Sequence, residues 1–220
     1  MGEPEFQLYE CVNPTCGLRF PTDLSVSHFE LCPSCSSPMR KMGDPYINYR
    51  RPACGNLIPG TSLSIILDNL RSAQNVGSIF RTANGAGVQH IYCCGTTPTP
   101  DHAKVKKSSL GAEEVTGWSY HPNCLKLIEE LKLTGCLLLA LESTPESISL
   151  INLAPSYWKH PQLALLVGNE ISGIDPQVLG TAHQVLHIPM AGTKTSLNVA
   201  VTTGIALYLI INNLVSPPPQ

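Results

Sequence analysis

From Thr61 onward, short apolar runs alternate with stretches whose apolar residues recur at helical spacing. The helical stretches are "NVGSIFRTANGAG" at 75–87, which Gly85 or Gly87 would end, and "CLKLIEELKLTG" at 124–135. The apolar runs predict buried strands at 62–70, 90–95, 136–143, 163–170 and 184–190. Because strands and helices alternate, the pattern predicts a parallel α/β sheet with helices on both faces. Ligands bind such sheets at the carboxyl ends of the strands.

The last long apolar stretch, "IPMAGTKTSLNVAVTTGIALYLI" at 188–210, belongs to a run without charged residues from Ser196 to Val215. A run of this length is close to what spans a bilayer. No basic flank follows it, however, and small or polar residues interrupt it, which argues against a membrane segment. These residues are Asn198, Thr202, Thr203, Gly204, Asn212 and Asn213. A buried helix with Ser196 as N-cap is the better prediction, with one face on the sheet and another on a second subunit.

Residues 1–45 are rich in Cys, Pro and Ser and predict a small module, followed by a linker at 46–60 and a larger domain at 61–215. Two cysteine pairs on Pro-containing turns give the spacing C-x4-C-x15-C-x2-C. Four thiolates with no open position predict a structural zinc site, whose metal would supply much of the folding free energy of so small a module. The ligands are Cys11, Cys16, Cys32 and Cys35. Incidental reduced thiols, or His28 in place of one ligand, are the alternatives.

The composition is 43% hydrophobic and 14% charged, a sparse charged surface that favours association with a second subunit. Since the formal net charge is −2, a polyanion would have to bind at local basic clusters, for which a plain solvated surface is the alternative. The clusters are "MRKMG", "YRRPA" and "AKVKKSS". The first ten residues lack the apolar core of a secretory signal, so we expect a cytoplasmic protein whose nine cysteines stay largely reduced.

Three segments combine polar residues with glycines at predicted strand ends or helix starts. The candidates are Asn75 and Arg81 in the first, Glu170 in "LLVGNEISGID", and Ser196 and Asn198 in the third. Six helical residues rotate by roughly 600°, so Asn75 and Arg81 lie about 120° apart and can border one cleft. The alternatives are a surface ion pair for Arg81 and, in the second segment, simple capping of the next helix by Ser172 or Asp175.

The segments "NVGSIFRTANGAG", "LLVGNEISGID" and "IPMAGTKTSLNVAVTTGIALY", in this order and spacing, resemble the three motifs of the SpoU/TrmH branch of the SPOUT RNA methyltransferases. "KVKKSSLGAEE" is similar to the basic Ser/Gly/Ala-rich segment of that family. The resemblance covers about residues 62–214 and does not include residues 1–60. It implies methyl transfer from S-adenosylmethionine to a ribose 2′-hydroxyl of tRNA or rRNA, a homodimer, and a C-terminal trefoil knot that holds the cofactor.

Carried over by motif, the resemblance also implies roles for individual residues. The catalytic group comprises Asn75 and Arg81 on the RNA-facing side, with Glu170, Ser196 and Asn198. The cofactor positions are Gly168, Ile188, Met190 and Leu197. RNA contacts are expected from Arg50, Arg51, Arg71, Lys104, Lys106 and Lys107. The zinc module either adds an RNA contact, through Arg19, Arg40, Lys41 and Phe20, or serves only the fold or a dimer.

The implied reaction needs an oxygen and a methyl group about 3 Å apart and stabilisation of a developing alkoxide. Because a guanidinium does not normally lose its proton, Arg81 is expected to act as an electrostatic clamp on the alkoxide or an adjacent phosphate. The proton would then leave through a phosphate oxygen, water or Glu170. The alternative functions are a catalytically silent RNA-binding protein on the same scaffold and a zinc-ribbon interaction protein. The third motif is nearer to the rRNA-type members.

Overall fold

The computed structural model describes residues 5–25, 29–47, 59–154, 157 and 160–214, except for the side chain of Asn213. The chain divides into two compact units, Met1–Cys54 and Gly55–Gln220. The boundaries expected at residues 45 and 60 stay predictions, and a strand of the first unit continues to Ile47.

The first unit is a three-stranded antiparallel sheet in the order β2-β1-β3. Its strands are β1 (Glu5–Cys11), β2 (Arg19–Asp23) and β3 (Met39–Ile47). The buried ring of Tyr9 contacts Phe29 edge to face, with centroids 6.4 Å apart, and Phe20 packs against the same Phe29 at 5.1 Å. Cys11 and Cys32 are the other buried apolar side chains described in this unit. Three rings and two thiols make a small core, which leaves the unit in need of further stabilisation.

The second unit is built on a seven-stranded sheet in the order β6-β5-β4-β9-β7-β10-β8, and every strand pair is parallel. Its strands are β4 (Ser62–Asp68), β5 (His90–Cys94), β6 (Gly117–His121), β7 (Leu137–Leu141), β8 (Ile148–Ser149), β9 (Gln162–Val167) and β10 (Gln184–His187). The helices are α1 (Ala73–Gly85), α2 (Ala103–Ser109), α3 (Ala112–Val115), α4 (Cys124–Leu133), α5 (Pro176–Leu179) and α6 (Val199–Leu214), with a 3-10 turn at Leu150–Asn152.

Two apolar clusters cover the two faces of this sheet. On the central strand β4, Leu63, Ile65 and Leu67 belong to the cluster that contains α1 and α6. Ile66 points the other way, into the cluster that contains α4 and α5. The alternation follows from the two-residue period of a strand. The predicted parallel α/β sheet with helices on both faces is therefore confirmed, whereas the knot stays a prediction.

The ends of the helices differ in one instructive place from the sequence expectation. Gly87, at φ +74°, follows the end of α1 and confirms the predicted glycine stop. The N-cap assigned to Ser196 is wrong, because α6 begins at Val199 and the Oδ1 atom of Asn198 accepts the Ala200 N–H at 2.9 Å. An amide oxygen caps as well as a hydroxyl does, so the chain starts the helix two residues later.

The charge-free run ends in a packed helix. Ala206, Leu207 and Ile210 on α6 are fully buried in the core, whereas Val201, Ile205 and Tyr208 are 52%, 37% and 52% exposed. Within the part of the chain that the structure describes, no helix combines the length and apolar character needed to cross a membrane. One face of α6 thus lies on the sheet, as predicted, and a second apolar face is open in the single chain.

Candidate active site

A cavity of about 980 Å³ lies at the carboxyl ends of β7, β9 and β10 and reaches the first turns of α1 and α6. The chain turns away from each strand here, so backbone and polar side chains face the same space. All four predicted cofactor residues line it, and so do four of the five predicted catalytic residues. These are Gly168, Ile188, Met190 and Leu197, and Asn75, Glu170, Ser196 and Asn198. Three stretches far apart in sequence therefore meet in one cavity.

Asn75 joins the three stretches by hydrogen bonds. Its Nδ2 atom donates to Glu170 Oε1 at 2.9 Å, and its Oδ1 atom accepts from Asn198 Nδ2 at 3.0 Å. The amide of Asn75 is thereby fixed in one orientation, because a flipped amide would lose both bonds. Ser196, by contrast, is exposed and has no hydrogen-bond partner among the described residues.

Glu170 is a satisfied carboxylate at the start of α1. Besides the Asn75 amide, it accepts the backbone N–H groups of Arg71 at 2.8 Å and Ser72 at 3.1 Å. Burial raises the pKa of Glu170, but the bonds from Arg71, Asn75 and Ser72 outweigh it, so the pKa lies below its ordinary value. The group is ionised at neutral pH. It is suited to orienting Asn75 and ill suited to accepting a proton in the reaction.

Close backbone approach shapes the loop that carries Glu170. A Cβ atom on Gly168 would lie 2.5 Å from the Ile174 backbone nitrogen, so no larger residue fits there without movement. Asn169, which the sequence reasoning did not select, donates to the Asn69 carbonyl at 2.7 Å and accepts the N–H groups of Ile171 and Ser172. Its only sequence signal is an asparagine two residues after a buried strand.

The second unit is similar to known proteins. Residues 62–208 match the SpoU rRNA Methylase family. The tRNA (guanosine(18)-2'-O)-methyltransferase of Aquifex aeolicus is 31% identical over 153 residues, covering 66% of this chain and 67% of that enzyme. The chain belongs to the SpoU rRNA methylase family. The RlmB 23S rRNA (guanosine-2'-O-)-methyltransferase of Bordetella pertussis is 28% identical over 154 residues, which are 70% of this chain and 60% of that enzyme.

A solved structure shares the fold as well. The AdoMet-bound rRNA methyltransferase from Sinorhizobium meliloti superposes with a TM-score of 0.66 at 24% identity, covering 83% of this chain and 67% of that one. Membership of the SpoU family thus rests on the second unit, where three motifs and the parallel sheet coincide. Residues 1–61, and with them all four cysteines of the predicted metal site, lie outside the family match.

Arg81 does not line the cavity of this SpoU-type site. It is exposed on α1 and forms no ion pair with any residue that the structure describes. Arg81 lies six residues from Asn75, about 9 Å along the helix axis. The predicted surface ion pair is therefore not formed here, and the guanidinium is open to an external anion.

The structure describes four of the six predicted RNA contacts. Lys104, Lys106 and Lys107 are exposed on α2, and Lys106 and Lys107 lie in its last turn, where the helix dipole favours cations. Arg71 contributes its backbone N–H to Glu170 while its side chain is exposed. Arg50 and Arg51 lie outside the described residues.

The predicted metal ligands meet in the first unit. The Sγ atoms of Cys11, Cys16, Cys32 and Cys35 all lie within 4.8 Å of one another. Two of the distances are 3.4 Å, between Cys11 and Cys35, and 3.8 Å, between Cys16 and Cys32. A tetrahedral ion with zinc–sulfur bonds of about 2.3 Å requires sulfurs about 3.8 Å apart. The donor set and its size both fit zinc.

Proposed function

We propose that the protein is an S-adenosylmethionine-dependent methyltransferase that modifies a ribose 2′-hydroxyl of rRNA or tRNA. The SpoU family is a family of RNA methyltransferases, and the related enzymes from Aquifex and Bordetella act on guanosine of tRNA and of 23S rRNA. The observation that carries the proposal is the hydrogen-bonded link from Glu170 through Asn75 to Asn198 at the cavity. A catalytically silent RNA-binding protein would have no need to keep this link across three motifs.

The cavity fits the methyl donor. Its volume of about 980 Å³ is ample for a nucleoside with an amino-acid arm, and it combines apolar walls with polar loops. Gly168, Ile188, Met190 and Leu197 are the residues proposed to hold the cofactor, and the Sinorhizobium structure of the same fold is AdoMet bound. When bound, S-adenosylmethionine supplies an electrophilic methyl group on a sulfonium.

The residues of the chain position the acceptor oxygen. The amide groups of Asn75 and Asn198 are held in one arrangement by Glu170, which lets them orient a ribose without reorganising during the reaction. Glu170 is a positioning residue in this scheme, and the proton of the hydroxyl leaves to water or a phosphate oxygen. Arg81, about 9 Å along α1 from Asn75, is proposed to hold a neighbouring RNA phosphate.

A second copy of the chain is proposed to cover the open face of α6. Val201 and Ile205 line a groove between α1 and α6, next to Gln74, and both are exposed apolar side chains. Ile205→Glu should then shift the protein from dimer to monomer in sedimentation velocity. Leu133→Glu is the matched control, since Leu133 is 88% exposed on α4 and lies away from this groove. A monomeric parent protein would contradict the proposal.

The four-cysteine cluster is proposed to bind one structural zinc ion, with no coordination position left for catalysis. Two of the basic side chains described in this unit are engaged in ion pairs. Glu10 accepts from Arg19 at 3.1 Å and from Arg40 at 2.5 Å, and these two bonds tie the neighbouring strands to β1. We therefore favour a structural role for the module over a direct RNA contact through these arginines.

The decisive experiment is in vitro methylation of rRNA and tRNA followed by mapping of 2′-O-methyl positions. A single new site in one RNA would establish the activity and name the substrate. RNA binding without any new site, under saturating cofactor, would support the silent RNA-binding alternative. A cytoplasmic location completes the proposal, because a cluster of four cysteines that serves as a metal site is typical of a reducing compartment.

A further inference from the structure

A second carboxylate lines the cavity, and neither the motifs nor the proposed reaction uses it. Glu142 directly follows β7, at the carboxyl end of that strand. Its Oε2 atom accepts the Ile174 N–H at 3.0 Å, and its Oε1 atom accepts the Ser143 N–H at 3.2 Å. Its own N–H donates to the Leu186 carbonyl at 2.9 Å. Glu142 thus connects β7 to β10 and to the loop after β9, which together form part of the cavity wall.

The loop after β9 leaves room for this carboxylate. A Cβ atom on Gly173 would lie 2.6 Å from Glu142 Oε2, and Gly173 adopts φ +72°, so an alanine would be both crowded and strained. The carboxylate of Glu142 therefore has one defined position. Its orientation is fixed by two N–H groups, and Glu142 forms no ion pair with any residue that the structure describes.

Glu142 differs from Glu170 in its remaining hydrogen-bonding capacity. A carboxylate offers about four acceptor positions. Three N–H donors already occupy Glu170, whereas two occupy Glu142 and leave oxygen lone pairs for a ligand in the cavity. Glu142 can therefore accept a further hydrogen bond from a donor in the cavity.

The position of Glu142 decides which part of the methyl donor it meets. In the sheet, β9 lies between β4 and β7, so the end of β4 that leads to Asn75 and the end of β7 are about 10 Å apart. If the methyl group reaches Asn75, a part of the donor remote from the methyl reaches Glu142. The amino-acid arm offers an ammonium donor, but Glu142 would repel the carboxylate that stands beside it. The nucleoside carries two hydroxyl donors and no acidic group.

We propose that Glu142 recognises the ribose hydroxyls of the methyl donor's nucleoside. This inference rests on the proposed function, since it takes S-adenosylmethionine as the ligand of the cavity. It assigns to the loop after β7 a role in cofactor selection. An incoming ribose loses a charge-assisted hydrogen bond when Glu142 is changed, and one such bond corresponds to about a tenfold change in affinity or more.

The test is calorimetric titration of the full-length protein with S-adenosylhomocysteine, with 5′-methylthioadenosine, and with the 2′-deoxy and 3′-deoxy forms of the latter. The parent protein should bind at least one deoxy compound about tenfold more weakly than methylthioadenosine. In Glu142→Gln this difference should shrink towards one. Glu146→Gln is the matched control, because Glu146 is exposed in the same loop and does not line the cavity.

Each outcome decides between the alternatives. If Glu142→Gln discriminates the deoxy compounds as strongly as the parent does, the assignment is overturned. If the variant loses affinity for S-adenosylhomocysteine but not for methylthioadenosine, Glu142 contacts the amino-acid arm and the assignment is also overturned. A parent protein that binds neither compound refutes the proposed function together with it.

Gly173→Ala provides a second variant should Glu142→Gln fail to fold, as judged by its thermal unfolding. It keeps the carboxylate but displaces it, so we expect the same loss of hydroxyl discrimination. Full discrimination in a folded Gly173→Ala protein would also overturn the assignment.

Discussion

Replacing Asn75 by Ala and by Asp separates its two hydrogen bonds. Alanine removes the bond to ionised Glu170 and the bond to Asn198. Such bonds are worth about 1.5–3 and 0.5–1.5 kcal/mol, and the partial exposure of this site argues for the lower ends, about 2 kcal/mol together. If the arrangement matters for the transition state, kcat/KM should fall about 30-fold.

Asn75→Asp should have a lower kcat/KM than Asn75→Ala at neutral pH and a higher one at acidic pH. It still accepts from Asn198, but it places a negative charge where the amide lay 2.9 Å from Glu170 Oε1. In water-like surroundings that repulsion costs about 1.4 kcal/mol, so Asn75→Asp should lose about 100-fold at pH 8. As the pH falls, one proton shared by the two carboxyls restores a donor, and the loss relative to the parent should shrink.

The assay is single-turnover methylation between about pH 5 and 8, with each variant compared with the parent at the same pH. Gln89→Glu is the control for added charge, since Gln89 is an exposed side chain in the turn after α1. Thermal unfolding of each variant checks that the fold is intact. An Asn75→Ala protein within about threefold of the parent, or a ratio of the two variants that does not change with pH, would refute the reasoning.

Three other predictions follow from the structure. Burial and the nearby His121 hold the pKa of His90 below its ordinary value. As the pH falls, the unfolded chain therefore binds a proton before the folded chain does, and the free energy of unfolding should fall between pH 7.5 and 5.5. The fall should be smaller in His121→Gln. Urea unfolding at the two pH values checks this, and equal losses in both proteins would contradict it. Cys16→Ser should abolish zinc binding, which metal analysis measures. The protection of the β1–β3 amides against hydrogen exchange should be lost with the metal. Protection that survives metal loss would count against a structural site. Neutralising Lys106 and Lys107 should weaken RNA binding without affecting cofactor binding. The slope of log affinity against log salt concentration should become shallower by about one per lost phosphate contact. An unchanged slope would show that α2 does not contact the RNA.

The sequence predicts the fold wherever burial on two sides produces an unbroken apolar run. Strand β6 was missed because it is an edge strand, and "GWSYH" carries polar side chains that an edge tolerates. The short strand β8 was missed because two residues cannot display a period. Both omissions concern strands with a neighbour on one side only, so the apolar pattern is weakest there.

The candidate site was predictable only as far as polar residues stand beside glycines. That pattern selected Asn75, Glu170 and Asn198, which the structure brings into hydrogen-bond contact. Glu142 is not predicted from the sequence, because a single carboxylate after an apolar run has no local signature. The same pattern and the resemblance both indicate Arg81, yet its side chain is exposed outside the cavity, about 9 Å along α1 from Asn75.

The electrostatics at the start of α1 depend on Glu170. Neither α1 nor α6 has an acidic residue in its first turn, so their N-terminal ends are not compensated from within. Glu170 supplies the negative charge from another strand by accepting the N–H groups just before α1, and the same carboxylate orients Asn75. Because these bonds lower the pKa of Glu170, the arrangement is fully present above the ordinary pKa of a glutamate and is lost only as the pH falls through the lower, folded value. A charge placed instead in the first turn of α1 would compensate the helix but leave the amide of Asn75 free to turn.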